Sequence, residues 1–129
     1  MNIEIFGKSK NFAKQIVRFC PKLPDNNVGA VISEDMLRAI SQTALHCRAA
    51  ERTSAQDEIL SELKKALSCI DIILFWLEII DDMEIVISKF VKPLIKENKC
   101  LFSMIDADIQ SILDAEKDTD NQRIQKICE

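Results

Sequence analysis

SCIDIILFWLEIIDD, residues 68–82, reads as a helix whose apolar residues cover more of its circumference than one packing partner can hide. Burial along one side of a helix takes an apolar stripe of roughly 100° or somewhat more. Two stripes meet here. Ile59, Leu63, Ala66, Ile70, Ile73, Leu77 and Ile80 step 4-3-4-3-4-3, a regular seam toward neighbouring helices. Cys69, Ile72, Trp76, Ile79 and Met83 step 3-4-3-4 beside it, about 100° further round. Leu67, Leu74 and Phe75 add apolar surface and leave Lys64, Asp71 and Glu78 as a narrow wet edge. Two seams imply a helix central to its bundle, or one that also packs on another subunit.

Outward from that stretch the same periodicity recurs. Phe12, Ile16 and Phe19, with Ala13, Val17 and Cys20, mark a first helix over about 9–20, which CPKLPDNN ends with its two prolines. Met36, Ile40, Thr43, Cys47 and Ala50 mark a second over about 30–52. Ser54, with Asp57 three residues on, is the expected N-cap of the third, over about 55–80. Leu94, Ile95, Leu101, Phe102, Ile105, Ile109 and Ile112 place a fourth over about 91–115, with Pro93 in its first turn or at a kink just before it. Residues 116–129 form a polar tail expected to fray. The pattern predicts an all-α, antiparallel up-down four-helix bundle over residues 1–115, a single domain.

Composition agrees. Two Gly, three Pro and no Tyr in 129 residues, of which 47% are apolar, supply few turns and many helix formers. Cys20, Cys47, Cys69, Cys100 and Cys128 are odd in number and lack paired-metal spacing, so they read as reduced, mostly buried thiols of a cytoplasmic protein. No basic-then-apolar leader opens the chain, and no apolar run is long enough to span a membrane. The net charge is −4, yet residues 1–22 carry five basic side chains against Glu4 alone. A globally acidic chain is a poor general nucleic-acid binder, but a local basic face keeps that function open.

The candidate chemistry is sparse. His46 lies beside Cys47, but adjacent helical residues point about 100° apart and make no nucleophile–base pair. No Glu-x-x-His motif offers a zinc or di-iron site. Glu58 with Glu62, and Glu78 with Asp81, faintly resemble the magnesium-holding motifs of all-α nucleotide pyrophosphohydrolases, which is the alternative reading of function. Neither a cofactor nor a small-molecule substrate is expected. Lys10, Lys14 and Arg18 share one helix face and, with Arg48 and Arg52, form either a phosphate-binding row or an ordinary solvated surface.

KNFAKQIVRFCPKLP, the LRAIS of Leu37–Ser41 and above all DEILSELKKALSCIDIILFWLEIIDD resemble a family of small bacterial four-helix-bundle proteins. That family includes proteins encoded within intervening sequences of 23S ribosomal RNA genes and the accessory variability proteins of diversity-generating retroelements. Ile59, Leu63, Ala66, Leu67, Phe75, Trp76, Leu77 and Glu78 fall where the family has an aromatic residue, Leu, an Ala-Leu step and a Tyr-Trp-Leu-Glu ending. His46, Ala49, Cys69 and Ile72 depart from its polar positions. The resemblance implies a ring-like homopentamer in which Ile72, Trp76, Ile79 and Met83 pack on a neighbour. It also implies a non-catalytic scaffold or adaptor that binds nucleic acid or a nucleic-acid enzyme such as a reverse transcriptase. The binding residues expected are Lys10, Lys14, Arg18, Arg48 and Arg52, with the acidic tail competing for the same face.

Overall fold

The computed structural model describes residues 4–128, so the ends of the expected domain and tail, residues 1–3 and 129, lie outside the described residues. Helix α1 spans Ile5–Phe19, α2 Asn27–Glu51, α3 Gln56–Asp82 and α4 Ser88–Cys128, with a 3-10 turn at Cys20–Lys22. No strand occurs among the described residues. Each helix packs on two others, α1 on α2, α2 on α3, α3 on α4 and α4 back on α1, which closes a four-helix bundle. The expected fold class therefore stands as an all-α four-helix bundle.

The core is built from one seam of each helix. From α3 it takes Leu63, Ala66, Ile70, Ile73, Leu77 and Ile80, all fully buried. Ile5, Phe12, Ile16 and Phe19 meet them from α1, Ile32, Met36, Ile40 and Cys47 from α2, and Val91, Leu101, Ile105 and Ile109 from α4. Three polar side chains are buried with them: Ser9 and Thr43 donate to carbonyls of their own helices, and Asn98 reaches across to another. Asn98 donates from Nδ2 to the Ile70 carbonyl at 3.1 Å, joining α4 to α3, while its Oδ1 has no hydrogen-bond partner.

The helix ends differ from expectation for local reasons. Helix α1 begins four residues early because Ile5 is a core residue and Gly7 does not interrupt a helix that packing supports. Helix α2 begins inside the Asp-Asn-Asn run, since Asn26 is its cap: the side chain accepts from the Gly29 amide at 2.9 Å. Ser54 does not cap α3. The N-cap position is Ala55, which offers no side-chain acceptor, and Thr53 braces the turn before it, accepting from the Ala55 amide at 3.2 Å and donating to Glu58 at 2.6 Å. Pro93 lies in the second turn of α4 rather than its first. The tail expected to fray is helical through Cys128, because no Gly or Pro follows Pro93 to stop α4. Residues 114–128 are all exposed and extend about 22 Å at the helical rise.

Two connections hold the geometry. Pro24 rests on Gly29, where an added Cβ would come within 1.9 Å of the Pro24 carbonyl oxygen. Helix α3 ends in a Schellman arrangement, with the Ile85 amide on the Ile80 carbonyl and the Glu84 amide on that of Asp81. Glu84 sits there at φ 54, a conformation that favours glycine. Thermal melts should thus separate two substitutions. Glu84→Gly raises stability by up to about 1 kcal/mol, whereas Gly29→Ala lowers it by about 1 kcal/mol or more because backbone must move. A stable Gly29→Ala protein would show that the turn yields freely.

Candidate functional site

Two surfaces stand out, on opposite sides of the bundle. The first is apolar and centres on the outward side of α3. Ile72, Phe75 and Met83 are exposed, at 42%, 54% and 70%, and Trp76 and Ile79 are half-buried beside them. Phe75 sets its ring edge-on to Trp76, with centroids 5.1 Å apart. Trp76 donates from Nε1 to Asp35 of α2 at 2.6 Å, which satisfies its polar atom and leaves the indole face beside α2. There Val28, Val31 and Ile32 form a shallow groove with it. All four residues of the expected seam thus lie on this one side, with Phe75, Val28 and Val31 added to them. The α2 valines could not be joined to the patch without knowing that α2 lies against the Trp76 side of α3.

The second surface is basic and spans α1 and α4. Lys10, Lys14 and Arg18 are exposed and project away from the α1 core seam, as their spacing predicts. Lys22 continues the row at the end of α1, and α4 supplies Lys89, Lys92, Lys96 and Lys99, all exposed. These eight cations have no carboxylate within salt-bridge distance among the described residues. The α4 lysines are not among the expected binding residues, although their 3-4-3 spacing marks a helical row. Only the packing of α4 on α1 makes the two rows one surface.

Arg18, Lys22 and Lys89 converge on a groove of about 340 Å³ between α1 and α4, walled by Gln15, Phe19, Phe90, Pro93 and Leu94. The Lys22 ammonium lies 4.4 Å from the Phe90 ring centroid and that of Lys89 lies 5.1 Å away. Arg48 belongs elsewhere. It is half-buried with its guanidinium 4.7 Å from the Phe6 ring, tying the end of α2 to the start of α1. Arg52 is exposed at the C-cap of α2 and does not line that groove. The acidic tail does not approach the groove either. It runs past Gln56 at the start of α3, where Ala115, Glu116, Thr119 and Asp120 line a cleft with it.

The carboxylates of the alternative reading are dispersed. Glu62 meets His46 Nδ1 at 2.6 Å, Glu58 accepts from Thr53, and Asp81 accepts from Ser88 at 2.7 Å. Sixteen residues of helix, about 24 Å, separate Glu62 from Glu78. No group of three or more His, Cys, Asp or Glu side chains gathers as a metal site among the described residues. Cys47 is fully buried next to His46, and desolvation pushes its thiol up to about 12, Glu51 adding to the rise and a Ser9 hydrogen bond opposing it. Burial also raises Cys20 and Cys69.

No protein-family model and no curated protein matches the chain by sequence. The fold has a solved counterpart. A protein of unknown function from the S23 ribosomal protein family of Bacteroides thetaiotaomicron superposes with a TM-score of 0.74 at 21% identity, over 81% of this chain and 97% of that one. The likeness establishes a shared small helical fold and agrees coarsely with the resemblance read from α3. No helix among the described residues is long and apolar enough to cross a membrane.

The cysteines provide a check on the packing. Iodoacetamide at mildly alkaline pH should label exposed Cys100 and Cys128 in the native protein and reach Cys47 only on unfolding. Because the folded Cys47 thiol stays protonated while the unfolded one ionises near pH 9, its contribution to stability is present below that pH and lost on the way to about pH 12. Cys47→Ala should flatten that part of the pH–stability curve. Labelling of native Cys47 as fast as Cys100 would contradict the packing of α1 on α2.

Proposed function

We propose that this chain is a non-catalytic scaffold that assembles with copies of itself and binds nucleic acid, or an enzyme working on nucleic acid such as a reverse transcriptase, through its basic side. The supporting observation is segregation: apolar surface gathers on the α2–α3 side and unpaired positive charge on the α1–α4 side. A cluster holding Phe75, Ile72, Met83, Val28 and Val31 is too large a patch for a comfortable monomer. Covering it with a second copy removes apolar area from water while the opposite side stays free. The family resemblance adds the subunit number, five, in a ring.

Repetition is what makes the basic side effective. The exposed cations of one chain hold a phosphate backbone weakly, but a ring presents the same rows once per subunit. Linked sites of that kind gain avidity of roughly 10² or more without any new contact. Binding of this type is steeply salt-dependent, since each neutralised phosphate releases counterions.

Light scattering coupled to size exclusion should give several times 14.7 kDa, five times for the ring. Trp76→Glu or Phe75→Glu should lower that mass, because a charge placed in a desolvated seam has no partner there. A monomer at micromolar concentration would overturn the assembly reading. Reversing Lys10, Lys14 and Arg18 to Glu should keep the assembly intact and abolish partner binding. Unchanged affinity and salt slope in that triple variant would reduce the α1 row to solvated surface.

A further inference from the structure

We infer that the α1–α4 groove around Phe90 is a site for single-stranded nucleic acid, with a base on the Phe90 ring and its flanking phosphates on Arg18, Lys22 and Lys89. The inference rests on the nucleic-acid reading above and gives it a place and a strand preference. Phe90 is the unusual residue. It is 39% exposed at the mouth of a groove and surrounded by cations rather than by other apolar side chains on its open side. Lys22 and Lys89 lie over its ring without any carboxylate to neutralise them, so positive charge and an aromatic plate are held together. A base that stacks there takes the ring face from the Lys22 ammonium, which swings onto a flanking phosphate.

That pairing fits one ligand chemistry better than its rivals. Simple anions would use the cations and leave the ring unused. An acidic peptide would do the same unless it also carried an aromatic residue at the right step. A nucleotide within a strand combines a flat π-face with negative charge on both sides, and stacking on an aromatic ring tolerates any base. Duplex bases are already stacked on one another and cannot lay a face on Phe90, so the ring selects for single strands. Arg18 adds a planar guanidinium that can hold a phosphate with two hydrogen bonds. Pro93 and Leu94 give the groove an apolar wall beside the ring. Lys14 and Lys10, one and two turns before Arg18 on α1, mark the course of the strand beyond the groove.

The test is fluorescence anisotropy on the full chain with a labelled oligothymidylate of about twelve nucleotides, an abasic strand of equal length, the matching duplex and a poly-glutamate peptide. The wild type should bind the strand roughly tenfold or more tighter than the abasic one. Phe90→Ala should bring the two to the same level without changing abasic binding, and Phe90→Trp should restore the difference. Lys22→Glu with Lys89→Glu should weaken both strands. Because Phe90 lies at the surface, unchanged melting temperatures will show that each variant folds. Equal binding of base-bearing and abasic strands, or a Phe90→Ala protein indistinguishable from wild type, would overturn the site while leaving a general basic face in place. Binding of the peptide alone would overturn the site and replace nucleic acid with an acidic protein. Binding of none of the four would overturn both the site and the nucleic-acid reading.

Discussion

A helix has only so much circumference to hide, and α3 carries more apolar surface than its two neighbours, α2 and α4, can take. Its Leu63–Ile80 seam is fully buried and organises the bundle, with α2 on one flank and α4 on the other. The remainder, from Ile72 to Met83, has nowhere to go within one chain. Trp76 shows the compromise most clearly: its indole N–H is satisfied by Asp35, yet its ring lines an open groove with Val28 and Val31. Wherever a chain folds this way, its outer face is available for assembly. The proposed function follows from that surplus rather than from any reactive group.

Charge is sorted by the same architecture. The formal net charge of −4 hides a molecule with two electrical sides. Lysines and arginine line α1 and the first half of α4, while Glu34, Asp35, Asp57, Glu58, Asp71 and Glu78 belong to α2 and α3. Because α1 and α4 are adjacent, two separate rows become one basic surface with Phe90 set in it. A protein of this kind is not attracted uniformly to polyanions. It is oriented by them, with the α1–α4 side foremost. The acidic helix beyond Ala115 projects past the turn between α2 and α3 and leaves that side open.

Local periodicity made most of the bundle legible, and tertiary adjacency accounts for most of what it concealed. The double seam of α3, its core and the four outward residues were readable from steps of three and four. So was the α1 basic row. The joining of α4 lysines to that row required knowing which helices touch, as did the placing of Arg48 against Phe6, away from the α1–α4 groove. The start of α2 depended on a single hydrogen bond, Asn26 to Gly29, for which the neighbouring Asp25 and Asn27 were chemically eligible as well. The length of α4 was understated because polarity after Ala115 reads as loss of packing, although a helix under way needs a breaker to stop it. Asn98 gave no warning of its burial, since a polar residue in an apolar register is silent about its partner across the interface.

Trp76 is the only tryptophan in the chain and lies at the centre of the apolar surface on α3. Acrylamide quenching of its fluorescence across a dilution series therefore measures directly whether that surface is covered. Assembly should shield the indole at high protein concentration, and the quenching constant should rise as dilution releases subunits. A quenching constant that is high and unchanged at every concentration would mean that the α3 face remains in water and that the bundle stands alone.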